Sequence, residues 1–365
     1  MGKMNKELLH SKLNDWYEMN HRILPWRETT DPYKIWISEI ILQQTRVAQG
    51  MEYYHRLITR FPDIQSLADA QEDEVLLYWQ GLGYYSRARN LHKAAQLMKN
   101  HEIFHQAMRL LGDKARGEKD GDEAIRREAK DEDIFAALRS MPGVGDYTAG
   151  AIASFAFNLP YPALDGNVYR VLSRLFDCEI AFDTTQGKKH FRQLAEDLLD
   201  REHPRLFNSA IMELGALHCL PTAPDCHTCP INTWCKALAN NTVELLPVRK
   251  PRAKVRDRYL DYTIYITPEK TTLIHQRKGN DIWKHLWEFV CAERTGEEAI
   301  RRKAKGEKIL ELTHVLSHQK LHARFVIKKV SELPRIPDTL VVKLSDLDNY
   351  AFSRLTLKAI EKLLY

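Results

Sequence analysis

Four cysteines lie close together in the second half of the chain, with the spacing C-x6-C-x2-C-x5-C. Thiolates grouped in this way bind either zinc or an iron–sulfur cluster. A zinc ribbon usually pairs two C-x2-C knuckles across a longer loop, whereas this segment has one knuckle with a single cysteine on each side. The spacing therefore favours a [4Fe–4S] cluster over zinc, with the ligands Cys219, Cys226, Cys229 and Cys235.

A carboxyl group inside an apolar helix is the second candidate for chemistry. The stretch YKIWISEIILQQT follows Asp31 and Pro32, which are typical of a helix N-cap and first turn. Glu39 is one of its few polar residues, so we expect it among buried neighbours, where an unpaired carboxylate is costly. A glutamate that faces solvent or is bound by a partner is the commoner case, and the sequence leaves both open.

Two glycines mark a turn between helices that could bind a phosphate. The segment LRSMPGVGDYTAG predicts two helices joined by a sharp turn, because proline cannot continue a helix and glycine accepts positive φ. Gly143 and Gly145 would let backbone N–H groups approach a ligand, at the positive end of the helix that opens at about Asp146. An ordinary connection between two helices remains the alternative.

A short segment with one acidic residue, PALDGNV, follows the second of these helices. Asp165 suits the N-cap of a helix over Asn167 to Arg170, a common role for aspartate. It could equally place a carboxylate in a site. The residues alone do not decide between cap and catalyst.

The composition indicates an intracellular protein of two or three domains. The 365 residues carry a formal net charge of +5, which is compatible with nucleic acid binding but does not prove it. Six cysteines in such a chain do not suggest a disulfide framework, and the N-terminus has no apolar signal region. No apolar run approaches the roughly 20 residues that span a bilayer. We therefore expect a soluble protein in a reducing compartment.

Helical patterns dominate to about residue 240, and β patterns follow. Residues 112–133 differ from their surroundings, because fifteen of these 22 residues are charged, which predicts a solvated loop or a frayed surface helix. The basic run RKPRAKVRDR at 249–258 predicts a linker that could contact phosphates, although a solvated charge run fits as well. Beyond it, YLDYTIYIT, TTLIHQR and HARFVIKKV predict strands, and RLTLKAIEKLL predicts a closing helix.

The PGVG hairpin, the LDGN segment and the cysteine spacing together resemble the helix-hairpin-helix DNA glycosylases related to endonuclease III. Four longer stretches narrow the resemblance to the MutY family of adenine DNA glycosylases: SEIILQQTRV, GLGYYSRARNLHKAA, LDGNVYRVLSR and ELGALHC. The resemblance covers nearly the whole chain apart from a charged insert at about 105–133. It implies a mostly α catalytic region with an iron–sulfur loop, followed by a C-terminal α+β domain that is Nudix-like.

The resemblance also implies domain boundaries. The catalytic region spans 1–240, with a six-helix module at about 33–147 and an iron–sulfur module made of 1–32 and 148–240. A basic linker at 241–258 leads to a Nudix-like domain at 259–365 that recognises 8-oxoguanine. This domain lacks the acidic box R-E-x-x-E-E, so pyrophosphatase chemistry is not expected. It also reads DIWKHLWEFV where such domains often carry glycines.

The family's catalytic residues match four positions. Glu39 corresponds to an acid that protonates adenine N7, a role that burial suits because desolvation favours the neutral form of a carboxyl. Asp165 corresponds to the carboxylate that stabilises the sugar cation, as in glycoside hydrolysis. Tyr147 and Asn167 would hydrogen-bond this network and position water. Endonuclease III has a Schiff-base lysine where this chain has Tyr147, so a lysine-based lyase step is not expected.

Contacts to DNA follow from the same comparison. Gln43 and Tyr84 correspond to residues that wedge into the duplex, although a core tyrosine is the alternative for Tyr84. Arg87, with Arg89 and Lys93 on the same helix, would track the phosphate backbone, although each fits an ordinary surface cation as well. The hairpin glycines Gly143 and Gly145 would also contact the backbone. Ser317 and His318 correspond to the pair that contacts the oxidised guanine, with Leu316 in place of the expected aromatic residue.

The implied function is a monofunctional glycosylase that excises adenine opposite 8-oxoguanine or guanine in base excision repair. Its partner is double-stranded DNA, and we expect a monomer without membrane contact, located in the bacterial cytoplasm and on the nucleoid when bound to DNA. A bifunctional pyrimidine glycosylase/lyase is one rival, which Tyr147 and the C-terminal domain disfavour. A non-catalytic lesion sensor is the other, which the presence of both Glu39 and Asp165 disfavours.

Overall fold

The computed structural model describes residues 4–99, 131–251, 255–295 and 309–364. Most of the charged insert expected at about 105–133 lies outside these ranges, as does part of the expected linker, 252–254. The last insert residues, 131–133, begin a helix. Among the described residues, no helix is long and apolar enough to cross a membrane.

The predicted fold class is confirmed, because helices precede an α+β region. The helices of the described ranges are α1 Lys6–Asn20, α2 Pro32–Leu42, α3 Val47–Arg60, α4 Ile64–Asp69, α5 Glu72–Tyr78, α6 Ser86–Met98, α7 Asp131–Ser140, α8 Asp146–Phe157, α9 Gly166–Phe176, α10 Thr185–Leu198, α11 Pro204–Leu217, α12 Lys236–Ala239 and α13 Arg354–Leu363. The strands are β1 Arg256–Ile266, β2 Thr271–Gln276, β3 Trp287–Arg294, β4 Ile309–Val315, β5 Gln319–Lys329 and β6 Thr339–Lys343.

The chain divides into two compact units. The first consists of Met1–Val47 and Ala94–Pro251, and the second of Ala48–Lys93 and Arg252–Tyr365. This division differs from the expected module boundaries, because residues 48–93 group with the C-terminal domain.

One core cluster of the first unit lies between α1, α9, α10 and α11. Leu9 and Leu13 of α1 are fully buried in it, since residues four apart share one face of a helix. Cys219 and Cys229 pack partly buried against the same cluster. The cysteine loop and the helix that follows Asp165 therefore share one core.

The second unit contains a six-stranded sheet with the order β4-β5-β1-β3-β2-β6. β1 and β5 are parallel, and the other neighbours are antiparallel. Alternate residues of β1, namely Leu260, Tyr262 and Ile264, face a core that α13 completes. The sequence predicted β1, β2 and β5 but not β3, β4 or β6. β1 already begins at Arg256, inside the segment expected to be linker.

Candidate active site

The turn between α7 and α8 forms where proline and glycine interrupt the helical pattern. Gly143 has a φ of +80°, which glycine adopts without strain, and Gly145 is the N-cap of α8. Both glycines are exposed, as a phosphate contact requires. Asp146, the first residue of α8, is 2.7 Å from Arg139 and 3.5 Å from Arg192. These two cations therefore neutralise an acid that would otherwise repel a phosphate at this helix end.

Glu39 is buried on α2 with only 1% of its side chain exposed. Asp31 caps this helix by accepting the N–H groups of Tyr33 and Lys34, as the sequence predicted. The Tyr147 hydroxyl donates to Glu39 Oε2 at 2.5 Å, and Arg27 Nη1 donates to Oε1 at 3.3 Å. Both carboxyl oxygens thus have a donor, and Glu39 is a buried residue bound by partners.

Tyr147 joins the two candidate carboxyls. Burial raises its pKa well above the ordinary value, and the nearby charges of Glu39 and Asp165 raise it further. The phenol therefore keeps its proton at neutral pH. It is a fixed hydrogen-bond donor between the two carboxyls.

Asp165 is both the N-cap of α9 and a wall residue of the site. Its Oδ1 accepts the backbone N–H groups of Asn167 at 2.9 Å and Val168 at 2.8 Å, and its Oδ2 accepts the Asn167 side-chain amide at 2.8 Å. Burial raises its pKa, these hydrogen bonds partly oppose the rise, and the charge of Glu39 adds to it. Cap and site residue are thus compatible roles.

Asn167 is held in turn by Arg170, one helical turn further along α9. Arg170 Nη2 donates to Asn167 Oδ1 at 2.9 Å and to the Gly215 carbonyl at 2.6 Å, and its Nε donates to the Cys219 carbonyl at 2.7 Å. This arginine is 7% exposed. It sets which end of the Asn167 amide faces Asp165.

Glu39, Tyr147, Asp165 and Asn167 all line one cavity of about 830 Å³ in the first unit. This volume is within the range of small-molecule sites. Gln43 also lines the cavity, and its amide donates to Thr148 Oγ1 at 3.2 Å. The structure therefore brings together the four residues predicted to be catalytic and one of the two predicted wedge residues.

Sequence reasoning missed several residues of the same cavity. Trp26, which is 1% exposed, and Arg27 contribute to its wall from the loop before α2. Arg22 also lines it and forms two hydrogen bonds to the carboxylate of Glu213, at 2.6 and 2.8 Å. The only local signal was a Trp-Arg pair in a break between helices, directly before the candidate acid's helix.

The remaining predicted DNA contacts belong to the second unit. Tyr84 has a φ of +48° and is 46% exposed. The structure thus places it in an exposed loop and not in the core. Ser317 and His318 lie in the three-residue connection between β4 and β5, both exposed, with Ser317 Oγ 3.1 Å from His318 Nδ1.

The expectation that Arg87 contacts DNA phosphates does not match its environment. Arg87 is only 7% exposed, and its Nη2 donates to the Gly83 carbonyl at 3.1 Å. Its guanidinium lies 5.2 Å from the Trp79 ring centre and 5.5 Å from that of Tyr84. Burial lowers its pKa to about 10. Arg87 therefore supports the Tyr84 loop from inside, because α6 turns this residue toward the protein.

The four clustered cysteines are all partly buried in one loop region between α11 and α12. Arg174 Nη1 lies 3.3 Å from Cys219 Sγ, and Cys235 Sγ lies 3.4 Å from the Arg174 carbonyl. Burial raises the pKa of Cys229 to about 12, and the other three thiols add to the rise. No group of three or more His, Cys, Asp or Glu side chains within the described ranges is arranged to hold a metal ion. The donor set nevertheless fits a cationic iron–sulfur centre, because crowded buried thiols ionise together only when a metal compensates their charge.

Two family models match the chain. Residues 37–200 match the HhH-GPD superfamily of base excision DNA repair proteins, and residues 262–362 match the NUDIX domain. An adenine DNA glycosylase of Buchnera aphidicola is 34% identical over 336 residues, which cover 87% of this chain and 86% of that protein.

Two further comparisons agree with these matches. The adenine DNA glycosylase of Schizosaccharomyces pombe is 30% identical, with 90% of this chain and 77% of that protein covered. The structure of a thermostable thymine-DNA glycosylase shares the fold, with a TM-score of 0.52 and 23% identity over 64% of this chain and 97% of that chain. The chain therefore belongs to the adenine DNA glycosylase family, enzymes of base excision repair that hydrolyse an N-glycosyl bond.

Proposed function

We propose that this enzyme excises adenine paired with 8-oxoguanine or guanine in duplex DNA, and that the reaction takes place in the cavity of the first unit. One observation carries the proposal: Glu39 and Asp165, far apart in sequence, line the same cavity with Tyr147 beside both. An adenine rotated out of the base stack fits a site of this size.

Glu39 is the proposed acid. Breaking the C1′–N9 bond leaves an electron pair on the adenine, which a proton on N7 neutralises. Arg27 and Tyr147 each donate to one carboxyl oxygen of Glu39 and so orient the group. The proton passes from Glu39 to N7, and adenine leaves as a neutral base.

Asp165 is the proposed partner of the sugar cation. Loss of adenine leaves positive charge on the sugar, and a carboxylate on the opposite face stabilises it. Because burial raises the pKa of Asp165, its charge is poorly solvated before the reaction and gains most when a cation forms beside it. Water then adds to C1′, and its proton returns to Glu39.

The wall residues that sequence reasoning missed supply base recognition. The Arg22–Glu213 pair offers both donors and acceptors for the edge of a base, and the buried Trp26 supports the wall behind it. This pair suits a purine held by hydrogen bonds to its edge. It also keeps the reacting base away from bulk water.

The proposed enzyme has no lyase step. Tyr147 cannot form a Schiff base, and it is the residue that contacts Glu39. The amine in the cavity lining is Lys188 of α10, which is exposed. An exposed lysine suits a phosphate contact, so we assign no covalent chemistry to it.

Lesion reading belongs to the second unit in this proposal. Ser317 and His318 present a hydroxyl and an imidazole at the tip of a turn, where they can reach a base edge. Tyr84 is an exposed aromatic residue on a loop, as insertion between bases requires. Gln43 approaches the opposite base from the cavity.

The cysteine loop would hold a [4Fe–4S] cluster through Cys219, Cys226, Cys229 and Cys235. When bound, the cluster supplies a rigid scaffold for the loop. We further propose that the enzyme is monomeric, acts on double-stranded DNA and is located in the bacterial cytoplasm.

A single-turnover assay on a duplex with one adenine opposite 8-oxoguanine tests the proposed function. We expect abasic sites that break only after heat or alkali treatment, and slower excision opposite guanine. Strand cleavage without alkali, trapped by borohydride, would indicate a lyase instead. Binding without excision would indicate a lesion sensor.

A further inference from the structure

The loop that carries Tyr84 is attached through its side chains to the backbone of the C-terminal domain. The loop connects α5 to α6 through residues 79–85, and both helices belong to the same compact unit as the C-terminal sheet. Two side chains on the inner side of the loop, Gln80 and Tyr85, hydrogen-bond the backbone of one residue, Phe352. Phe352 lies just before α13.

Tyr85 is the first of these attachments. It is 4% exposed, its hydroxyl donates to the Phe352 carbonyl at 3.2 Å, and it accepts the N–H of Gly81 at 3.1 Å. Burial raises the pKa of Tyr85 to about 12, so the hydroxyl remains a donor at neutral pH. One phenol therefore bridges the loop and the C-terminal domain.

Gln80 is the second attachment. Its Oε1 accepts the Phe352 N–H at 2.8 Å, while its own carbonyl accepts the Tyr53 hydroxyl at 2.9 Å. Gly81 has a φ of +96°, and a Cβ there would lie 2.5 Å from Tyr53 Oη. The start of the loop is thus packed between Tyr53 and Phe352.

Phe352 is itself rigidly held. Its side chain is 1% exposed and stacks on Phe289 with ring centres 6.0 Å apart. The neighbouring Ala351 carbonyl accepts the Trp287 N–H of β3 at 2.8 Å. The Phe352 backbone consequently has β3 on one side and the Tyr84 loop on the other.

The outer side of the loop is also fixed. The Gly83 carbonyl accepts Trp79 Nε1 at 3.0 Å and Arg87 Nη2 at 3.1 Å. Tyr84 follows with its left-handed φ of +48°, which a bulky residue adopts only when its surroundings impose it. Attachments on both sides therefore impose the conformation of an exposed aromatic residue.

We propose that Gln80 and Tyr85 are positioning residues through which the lesion-reading domain sets the conformation of Tyr84 for insertion into DNA. This inference rests on the proposed wedge role of Tyr84. In this view the C-terminal domain has two roles in DNA recognition. Its turn at Ser317 and His318 contacts the lesion, and the Phe352 backbone holds the loop that carries Tyr84. Damage recognition and duplex wedging are then coupled within one unit.

The test uses the full-length protein and a duplex with 2-aminopurine next to the 8-oxoguanine, because its fluorescence rises when Tyr84 unstacks it. The variants are Tyr85→Phe and Gln80→Met; each removes one bond to Phe352, and Tyr85→Phe also removes the bond from Gly81 within the loop. Loss of one hydrogen bond should reduce affinity for the 8-oxoguanine duplex by about threefold to tenfold. The fluorescence rise should shrink in parallel, and excision at saturating enzyme should fall by a smaller factor than affinity, because Glu39 and Asp165 belong to the other unit.

Two control variants separate positioning from general domain docking. Gln276→Leu removes a 2.9 Å hydrogen bond to Asp73 of α5, which joins the same two parts of the unit without involving the loop. Tyr265→Phe removes a phenol hydroxyl elsewhere on the sheet. Both should keep the fluorescence rise, and melting temperatures should confirm that all variants are folded.

The outcomes distinguish this inference from the proposed function. If Tyr84→Ala abolishes the fluorescence rise while Tyr85→Phe and Gln80→Met keep it, the positioning inference is wrong and the wedge stands. If Gln276→Leu matches Tyr85→Phe, domain docking and not loop positioning is responsible, which also overturns it. If Tyr84→Ala keeps the rise, Tyr84 is not a wedge and the inference falls with that part of the proposed function. Excision of adenine opposite 8-oxoguanine by the parent is measured separately, because it tests the proposed function independently of Tyr84.

Discussion

At the scale of single residues, the chemistry depends on how Glu39 and Asp165 differ. Glu39 lies in the middle of an apolar helix and receives its donors from two distant side chains, Arg27 and Tyr147. Asp165 receives its donors from the start of its own helix. A change in the charge of Glu39 therefore leaves the helix end undisturbed, while the oxygens of Asp165 are fixed by backbone N–H groups at the start of α9. This difference matches an acid and a stabilising carboxylate.

Glu39→Gln should abolish most excision. Glutamine keeps the shape but cannot protonate N7, and general acid catalysis contributes roughly 100- to 10,000-fold. Single-turnover rates should fall by that factor while DNA affinity stays close to the parent, because phosphate contacts dominate affinity. Glu213→Gln in the same cavity is the matched control and should mainly weaken binding of the base. Near-normal excision by Glu39→Gln would show that Glu39 is a structural residue.

Asp165→Asn should change the pH dependence of stability. Because the folded-state pKa of Asp165 is raised above its ordinary value of 3.8, the parent loses stability as pH rises from that value through the folded-state pKa. Asparagine still caps a helix and has no charge to desolvate. The melting temperature of the variant minus that of the parent should therefore increase as pH rises from 3.8 to neutral. A constant difference would mean that Asp165 is not desolvated.

At the scale of elements, the position of Asp165 depends on how closely α9 packs against α11. A Cβ on Gly215 would lie 2.7 Å from Asn167 Cβ and 3.0 Å from the Asn167 backbone. The Gly215 carbonyl also accepts a hydrogen bond from Arg170. The missing side chain at Gly215 thus allows the start of α9 to reach its place in the site.

Gly215→Ala should therefore impair catalysis through α9. The added methyl group meets backbone and cannot be accommodated by a side-chain rotation, so Asn167 and Asp165 must shift. Small misplacements of catalytic groups cost on the order of 100-fold in rate. Single-turnover excision and circular dichroism would show slow but folded enzyme. Gly279→Ala, where a Cβ meets nothing within 4 Å, controls for the substitution itself; parent-like rates in Gly215→Ala would contradict the packing argument.

The β4–β5 turn offers a second prediction at this scale. Replacing Ser317 and His318 together by alanine should reduce the preference for 8-oxoguanine over guanine opposite adenine. Each lost hydrogen bond of this kind costs about 1–3 kcal/mol of discrimination. Excision rates on the two duplexes give the measurement, and equal slowing on both would mean that the turn only supports the fold.

At the scale of the whole molecule, the candidate catalytic residues and the exposed turn proposed to read the lesion lie in different units. The first holds the cavity and the cysteine loop, and the second holds the exposed turn and the Tyr84 loop. Arg170 connects the cysteine loop to the site, because it binds both the Cys219 carbonyl and Asn167. The loop is therefore part of the support of the catalytic region.

We expect the purified protein to contain about four iron and four sulfide per chain, and little zinc. The cluster would join four cysteines of one loop region, and metal binding of this kind contributes to the folding free energy, so oxidative removal of the cluster should lower the melting temperature. Elemental analysis and thermal unfolding before and after removal give the measurement. One zinc without sulfide would contradict the assignment.

Several features followed from the sequence because they depend on neighbours in the chain. Asp31 and Asp165 cap helices that start one residue later, and the hairpin turns at Gly143 because only glycine adopts that φ freely. The types and spacing of the cysteines and carboxyls, together with the family resemblance, indicated the chemistry. Such signals depend on residues that are close in the chain, so they can be recognised without knowledge of the fold.

Only the tertiary structure decided which distant residues meet. Arg22 and Glu213 are 191 residues apart yet paired in the cavity wall, and Arg87, expected on the surface, is turned inward to hold the Gly83 carbonyl. Strands β3, β4 and β6 were missed because their partners, not their own sequences, determine pairing. The grouping of residues 48–93 with the C-terminal domain has the same cause, since contacts such as Gln80 to Phe352 join segments far apart in the chain.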